Sequence, residues 1–150
     1  MRAEEYIAKL NMRPHKEGGW FKENERNEEA SYTSIYFLLE KGDVSHFHRC
    51  ECDEMWYFHD GSAANIYVID ESGNLRIEKL GKDIKNGEMP CVKIPAGCIF
   101  GAEVCPGGTF TLVSCVCVPA FRYEGFELMD RYEMLRKYPE YSYIIKKLTK

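Results

Sequence analysis

Between residues 20 and 118 the chain alternates apolar and polar positions in short runs cut by glycine, proline and asparagine. That is the pattern of half-buried strands joined by tight turns. Ser31–Glu40 is the densest run. It sets Tyr32, Ser34, Tyr36 and Leu38 on one face and Thr33, Ile35, Phe37 and Leu39 on the other, because successive strand side chains point to opposite sides. Gly42-Asp43 turns the chain into a strand carrying His46 and His48. Asp53–His59 comes next, then the turn Asp60-Gly61, the strand Ala64–Asp70, the hairpin signal Ser72-Gly73-Asn74 and the strand Leu75–Leu80. Beyond a polar loop at Lys82–Pro90 lie Cys91–Ile94, Ile99–Val104 and the longest strand, Thr109–Val118. Strands at this even spacing predict an antiparallel sandwich or barrel, not βαβ units.

The two ends read differently. Tyr6, Ile7 and Leu10 fall at helical spacing, and Pro14 with Gly18-Gly19 forms a turn before a strand that starts at Trp20. Past Pro119, Phe126–Lys137 and Glu140–Leu148 carry helical periodicity. The expectation is one domain over residues 1–150, with a β core over about 12–120 and a helical appendage over about 126–148.

Composition narrows the partners. Apolar residues make up 45% of the chain and the formal net charge is −4, so an ordered core is expected and nucleic acid is not. No apolar run reaches membrane-spanning length, and the N-terminus lacks the charge pattern of a secretory signal, so a cytoplasmic protein is expected. The seven cysteines are odd in number and form no disulfide framework. Cys50 and Cys52, like Cys115 and Cys117, share a strand face, but structural zinc sites favour wider spacings, and buried thiols are the expectation.

The richest chemistry runs from Ser45 to Gly61. Strand alternation lets His46 and His48 converge on one volume, and Glu54, Trp56 and Phe58 on another. Imidazoles facing a carboxylate suit a divalent metal or an acid/base pair. Burial against Trp56 would raise the pKa of Glu54 and suit it to proton transfer. Tyr36 and Tyr57 offer hydroxyls, and Tyr36, Trp56, Phe58 and Phe100 would wall an aromatic cavity.

These motifs resemble the cupin superfamily of small jelly rolls. His46, His48, Glu54 and Gly61 reproduce H-x-H…E-x6-G, with one residue more than the usual spacing before Glu54. Pro95-Ala96-Gly97-Cys98-Ile99-Phe100 matches the second motif, with Phe100 at the position of its histidine and Val104 at that of its asparagine. The match is closer to the sparsely characterised fifth cupin family. Its segments appear in order as Pro14-His15-Lys16-Glu17-Gly18-Gly19, Ser45-His46-Phe47-His48-Arg49, Asp53-Glu54-Met55-Trp56, Ile94-Pro95-Ala96-Gly97 and Val118-Pro119-Ala120-Phe121 before Phe126-Glu127. Within that pattern it is His48 that matches.

The resemblance implies an all-β antiparallel jelly-roll barrel and a homodimer. Cupin metals are usually held by three His and one Glu, so Phe100 removes one ligand. The functional expectation is therefore a pocket without metal, binding a small polar metabolite such as a sugar, sugar-nucleotide or carboxylic acid. His48, Glu54 and Tyr36 would be its catalytic groups, as in epimerases or isomerases that share the fold. Trp56, Arg49, Phe100, Tyr57 and Phe58 would bind the ligand, with Arg49 or Lys22 holding an anionic group. The alternatives are an oxygenase or isomerase binding Fe, Mn, Ni or Zn through His46, His48 and Glu54, completed by His59 or water, and a binding or storage module without catalysis.

Overall fold

Two antiparallel sheets face one another across a shared interior in the computed structural model, which describes residues 1–150. The strands are β1 (Arg13–Pro14), β2 (Trp20–Asn27), β3 (Tyr32–Glu40), β4 (Val44–Cys50), β5 (Asp53–Gly61), β6 (Ala64–Ile69), β7 (Leu75–Leu80), β8 (Cys91–Ile94), β9 (Ile99–Val104), β10 (Phe110–Val118) and β11 (Phe126–Leu128). One sheet has the order β1-β2-β3-β10-β5-β8 and the other β11-β4-β9-β6-β7. Apart from β1-β2-β3 and the β6–β7 hairpin, sequential strands cross between the sheets, the arrangement of a jelly roll. The turn glycines act as the sequence predicts: Gly61 and Gly73 both hold positive φ.

The interior core joins both sheets. Phe37, Leu39, Trp56, Val92, Ile94, Val113 and Cys115 from the larger sheet meet Ile66, Val68, Phe100 and Ala102 from the smaller one. Helix α1 (Ala3–Lys9) covers the outer face of the larger sheet, where Ala3, Tyr6, Ile7 and Leu10 pack with Tyr36, Leu38 and Leu112. Helices α2 (Arg131–Lys137) and α3 (Ser142–Lys147) cover the outer face of the smaller sheet, burying Met134, Ile144, Ile145 and Leu148 on Phe47, Tyr67, Ile69 and Ile99. The Asp130 side chain caps α2 by accepting the Glu133 N–H. Residues 126–128 are not helical as the periodicity predicts. They pair with Cys50, Arg49 and His48 as strand β11, which completes the hydrogen bonds of the β4 edge.

One irregularity decides the site. Ser45 pairs with Ala102 and His48 with Phe100, so His46 and Phe47 together oppose Gly101 alone. This β-bulge shifts the facing of β4 by one residue. Ser45, His48 and Cys50 are buried, while Phe47 goes to the helical layer. Gly101 is required at this point, since a Cβ there would lie 2.7 Å from the Ser45 carbonyl oxygen. No helix is long and apolar enough to cross a membrane.

Candidate acid/base pocket

One end of the interior opens into a cavity of about 300 Å³. Its walls come from both sheets. β3 contributes Thr33 and Ile35, β2 contributes Phe21 and Glu23, β10 contributes Cys115 and Cys117, and β4 contributes His48 and Cys50. Glu54 closes the floor from β5. Glu17 and His15 enter from the loop between β1 and β2, and Arg13, Arg26 and Arg122 stand at the rim.

His48 is 2% exposed and held from both sides. Its Nδ1 lies 2.7 Å from the His46 carbonyl oxygen, which accepts only from a protonated Nδ1. Its Nε2 lies 3.2 Å from Oε2 of Glu17. With Nδ1–H already donating, that second contact requires a proton between imidazole and carboxylate, so the two groups form a proton-sharing pair. The other Glu17 oxygen accepts from the Ser45 hydroxyl at 2.9 Å. The Glu17 carbonyl accepts the His46 N–H at 2.8 Å and contacts His46 Nδ1 at 2.6 Å. Gly18 fits beneath this loop because a Cβ would strike the Val44 carbonyl oxygen at 1.9 Å. His46 is therefore a bracket for the Glu17 loop and does not share the volume of His48. The bulge is the reason, since regular alternation would have turned both inward.

Glu54 is buried, and its Oε1 accepts the Trp56 indole N–H at 3.0 Å. Desolvation, reinforced by the Glu17 charge, raises its pKa to about 8. It is a neutral carboxylic acid at pH 7. His15, packed edge-on to Phe21 and Phe37, has its pKa lowered by burial, and its Nδ1 accepts the Glu17 N–H at 3.2 Å. Near the floor, Cys52 packs with Cys50 and Cys117, and the neighbouring thiols lower its pKa.

The remaining expected residues fall elsewhere. Trp56 and Phe100 are 1% exposed and lie behind the cavity wall as core; the Phe100 ring lies tilted against His48, with ring centroids 4.1 Å apart. Phe58 shares the face of Glu54 and Trp56, but it packs on the central core beyond the cavity. Tyr36 lies on the outer face of the larger sheet under α1, so it cannot serve as the pocket acid. Tyr57 is 42% exposed on that outer face, and His59 reaches Ser114 there. Arg49 alternates with His48 to the opposite side and pairs with Glu127 at 2.6 Å. Lys22 points away from the cavity that Phe21 and Glu23 line.

Sequence reasoning missed Glu17 and the arginine rim. The segment Pro14-His15-Lys16-Glu17-Gly18-Gly19 carried the signal: a buried glutamate beside glycines that let a loop close on a strand.

This two-sheet scaffold with its pocket at one end is that of a cupin. The chain belongs to the cupin superfamily: the family model described as cupin superfamily (DUF985) matches residues 4–129. Among solved structures, it is similar to a Shewanella oneidensis protein known from X-ray crystallography, with 40% identity, a TM-score of 0.95 and coverage of 100% of this chain and 98% of that one. A hypothetical protein from Leishmania major is 33% identical, with a TM-score of 0.91 and 99% coverage of each chain. Bacillus subtilis oxalate decarboxylase shares the fold at 16% identity and a TM-score of 0.61, with 90% of this chain covering 36% of that one. No curated protein matches.

Proposed function

We propose that the pocket binds a small anionic metabolite and moves a proton next to its carbonyl group, an isomerase or epimerase activity that needs no metal. The observation that carries this reading is the His48–Glu17 pair, oriented by the His46 carbonyl and the Ser45 hydroxyl inside the cavity. Such a pair accepts a proton from carbon and returns it, while Glu54, protonated at neutral pH, supports the carbonyl oxygen that gains charge. Glu23 and Glu124 stand among the arginines that line the pocket, so a guanidinium without a carboxylate partner is the group that would hold a ligand carboxylate or phosphate. Arg26 is already engaged with Glu23 and Glu28, and Arg122 with Glu28, whereas Arg13 stacks over the Phe21 ring at 5.0 Å. A volume of about 300 Å³ sits at the lower limit of ligand pockets. A sugar acid or short carboxylic acid fits this size better than a sugar-nucleotide.

The test is carbon–hydrogen exchange. Sugar acids and short keto acids are incubated with the protein in D₂O and followed by proton NMR. The expected result is loss of a carbon-bound proton adjacent to a carbonyl with wild-type protein, at least a hundredfold slower with His48→Gln or Glu17→Gln. Binding of the same compounds without exchange would leave a binding module and end the catalytic reading.

A second reading rests on a separate observation. The usual cupin ligand set does not fit, because Phe100 stands at one ligand position and His46 is turned to the Glu17 carbonyl. However, donor atoms of His48, Cys50 and Glu54 lie within 4.8 Å of one another. A nitrogen, a sulfur and an oxygen at this spacing suit a borderline-soft ion such as zinc better than iron or manganese. Bound there, such an ion would polarise a ligand oxygen as a Lewis acid. Titration with zinc, read by release of protons from Cys50 and Glu54, distinguishes this reading: one proton-releasing equivalent lost in Cys50→Ser supports it, and no release rejects it.

A further inference from the structure

Three of the seven cysteines are gathered at one place that the proposed reaction does not use. Cys50, Cys52 and Cys117 pack on one another under Phe121 and Phe126, each 5–7% exposed. Cys52 packs in this cluster and is the one of the three that lines the outer of two neighbouring cavities without lining the acid/base pocket. The cluster forms a partition between two cavities. Cys117 and Cys50 line the acid/base pocket, and Cys50 and Cys52 line a second cavity of about 210 Å³ formed with Glu51, Pro119, Ala120 and Gly125. The remaining four thiols lie outside this cluster.

Buried structural thiols are normally isolated in apolar surroundings and inert. Thiols in mutual contact, with an opening large enough for a small molecule, are placed for two-electron oxidation. We propose that Cys52 and Cys117 form a reversible disulfide when a hydroperoxide enters the outer cavity. Cys52 sulfur attacks one peroxide oxygen: the S–O bond forms, the O–O bond breaks, and the thiol proton leaves with the departing oxygen as water or alcohol. Cys117 sulfur then attacks the sulfenic sulfur: the S–S bond forms, the S–O bond breaks, and the released hydroxide takes the Cys117 proton as a second water. Two thiols are oxidised and one peroxide is reduced.

Cys117 is the partner because it lies on the strand next to β5, where Asp53 pairs with Val118 and Glu54 with Cys117. A bond from Cys52 to Cys50 would close a ring through Glu51 alone, which strains the dihedral a disulfide prefers. A disulfide of this kind in an otherwise reduced protein is of the transient, sensing type. It would also rebuild one wall of the pocket, since Cys117 lines it.

The experiment treats the folded full chain with hydrogen peroxide, removes the peroxide, blocks free thiols with N-ethylmaleimide in denaturant so that buried thiols react, and maps the digest by mass spectrometry. The expected result is loss of alkylation at two of the seven cysteines, a cross-linked peptide pair containing Cys52 and Cys117, and full recovery after dithiothreitol. Cys105→Ala should form the same bond as wild type. Cys117→Ala should instead advance Cys52 to the sulfinic acid, which dithiothreitol does not reverse. Full alkylation of Cys52 and Cys117 after peroxide, or a bond to any other cysteine or to a second chain, overturns the proposal. The wild-type map decides the matter even if the variants fail to fold.

Discussion

The two ends of the barrel interior are built from the same strands and reach opposite outcomes. Along β5, Trp56 belongs to a dry core of Phe37, Phe100, Ile66 and Val68, while Glu54, two residues away on the same face, looks into a polar cavity. Along β10, Val113 lies in that core, while Cys117 lines the cavity. The dry end is filled by rings and branched chains whose packing sets stability. The wet end gathers buried Glu17 and Glu54, the imidazoles of His15 and His48, and thiols, groups whose burial opposes folding unless each is partnered. No buried side-chain nitrogen or oxygen lacks a partner, so the polar end is satisfied by internal contacts such as Ser45 to Glu17 and Trp56 to Glu54. Stability thus belongs to one end and chemistry to the other, on a shared set of strands.

Four measurements break or sharpen that division. The largest effect is expected at the dry end: Phe100→Ala removes a fully buried ring packed on His48 and Trp56 and should lower unfolding free energy by about 3–5 kcal/mol in urea titration. A loss below about 1 kcal/mol would mean the dry end is not the stabilising one.

Next is Glu54. Its folded pKa of about 8 lies above the unfolded value of 4.5, so the folded state binds more protons between those pH values. Stability therefore falls as pH rises from about 4.5 to about 8 and levels off above. In metal-free protein with chelator present, Glu54→Gln should remove that slope and gain roughly 1–4 kcal/mol at pH 9. An unchanged slope in the variant would show that the carboxyl is not the titrating group.

Glu17→Ala leaves His48 and Ser45 without their carboxylate partner and should cost about 1–3 kcal/mol in the same titration. Backbone contact from residue 17 to His46 is retained in that variant, so a larger loss would point to collapse of the loop. The smallest effect on stability is expected at the rim, where Arg13→Ala should stay within about 0.5 kcal/mol of wild type. Calorimetric titration of that variant with the acids that bind should still show a weakened affinity.

Much of this was legible in the chain. Glycine and proline punctuation marked the strands, and period-two alternation put Glu54, Trp56 and Phe58 on one face, as the structure has them. The facing of Tyr36 was not legible, because β3 is apolar on both sides. Its outer face is covered by α1, so Tyr36 and Leu38 look as core-like as Ile35 and Phe37. The separation of His46 from His48 was hidden for another reason. A bulge is set by the partner strand, and nothing in Ser45–Cys50 itself announces that two residues will oppose one. Glu17 lay in a loop distant in sequence from His48, and only the fold closes that distance. For Arg49, strand alternation alone already placed it opposite His48.

Gly101 carries no chemistry, yet it determines how many imidazoles the pocket owns. By leaving room for an additional residue on the facing strand, its bare backbone turns a two-histidine motif into one working ring and one fastener. A relative that bears a side chain at this position would have to close the gap and restore strict alternation. Its second histidine would then look inward, and the same motif would spell a different site. Counting prospective ligands in such a chain therefore begins on the neighbouring strand.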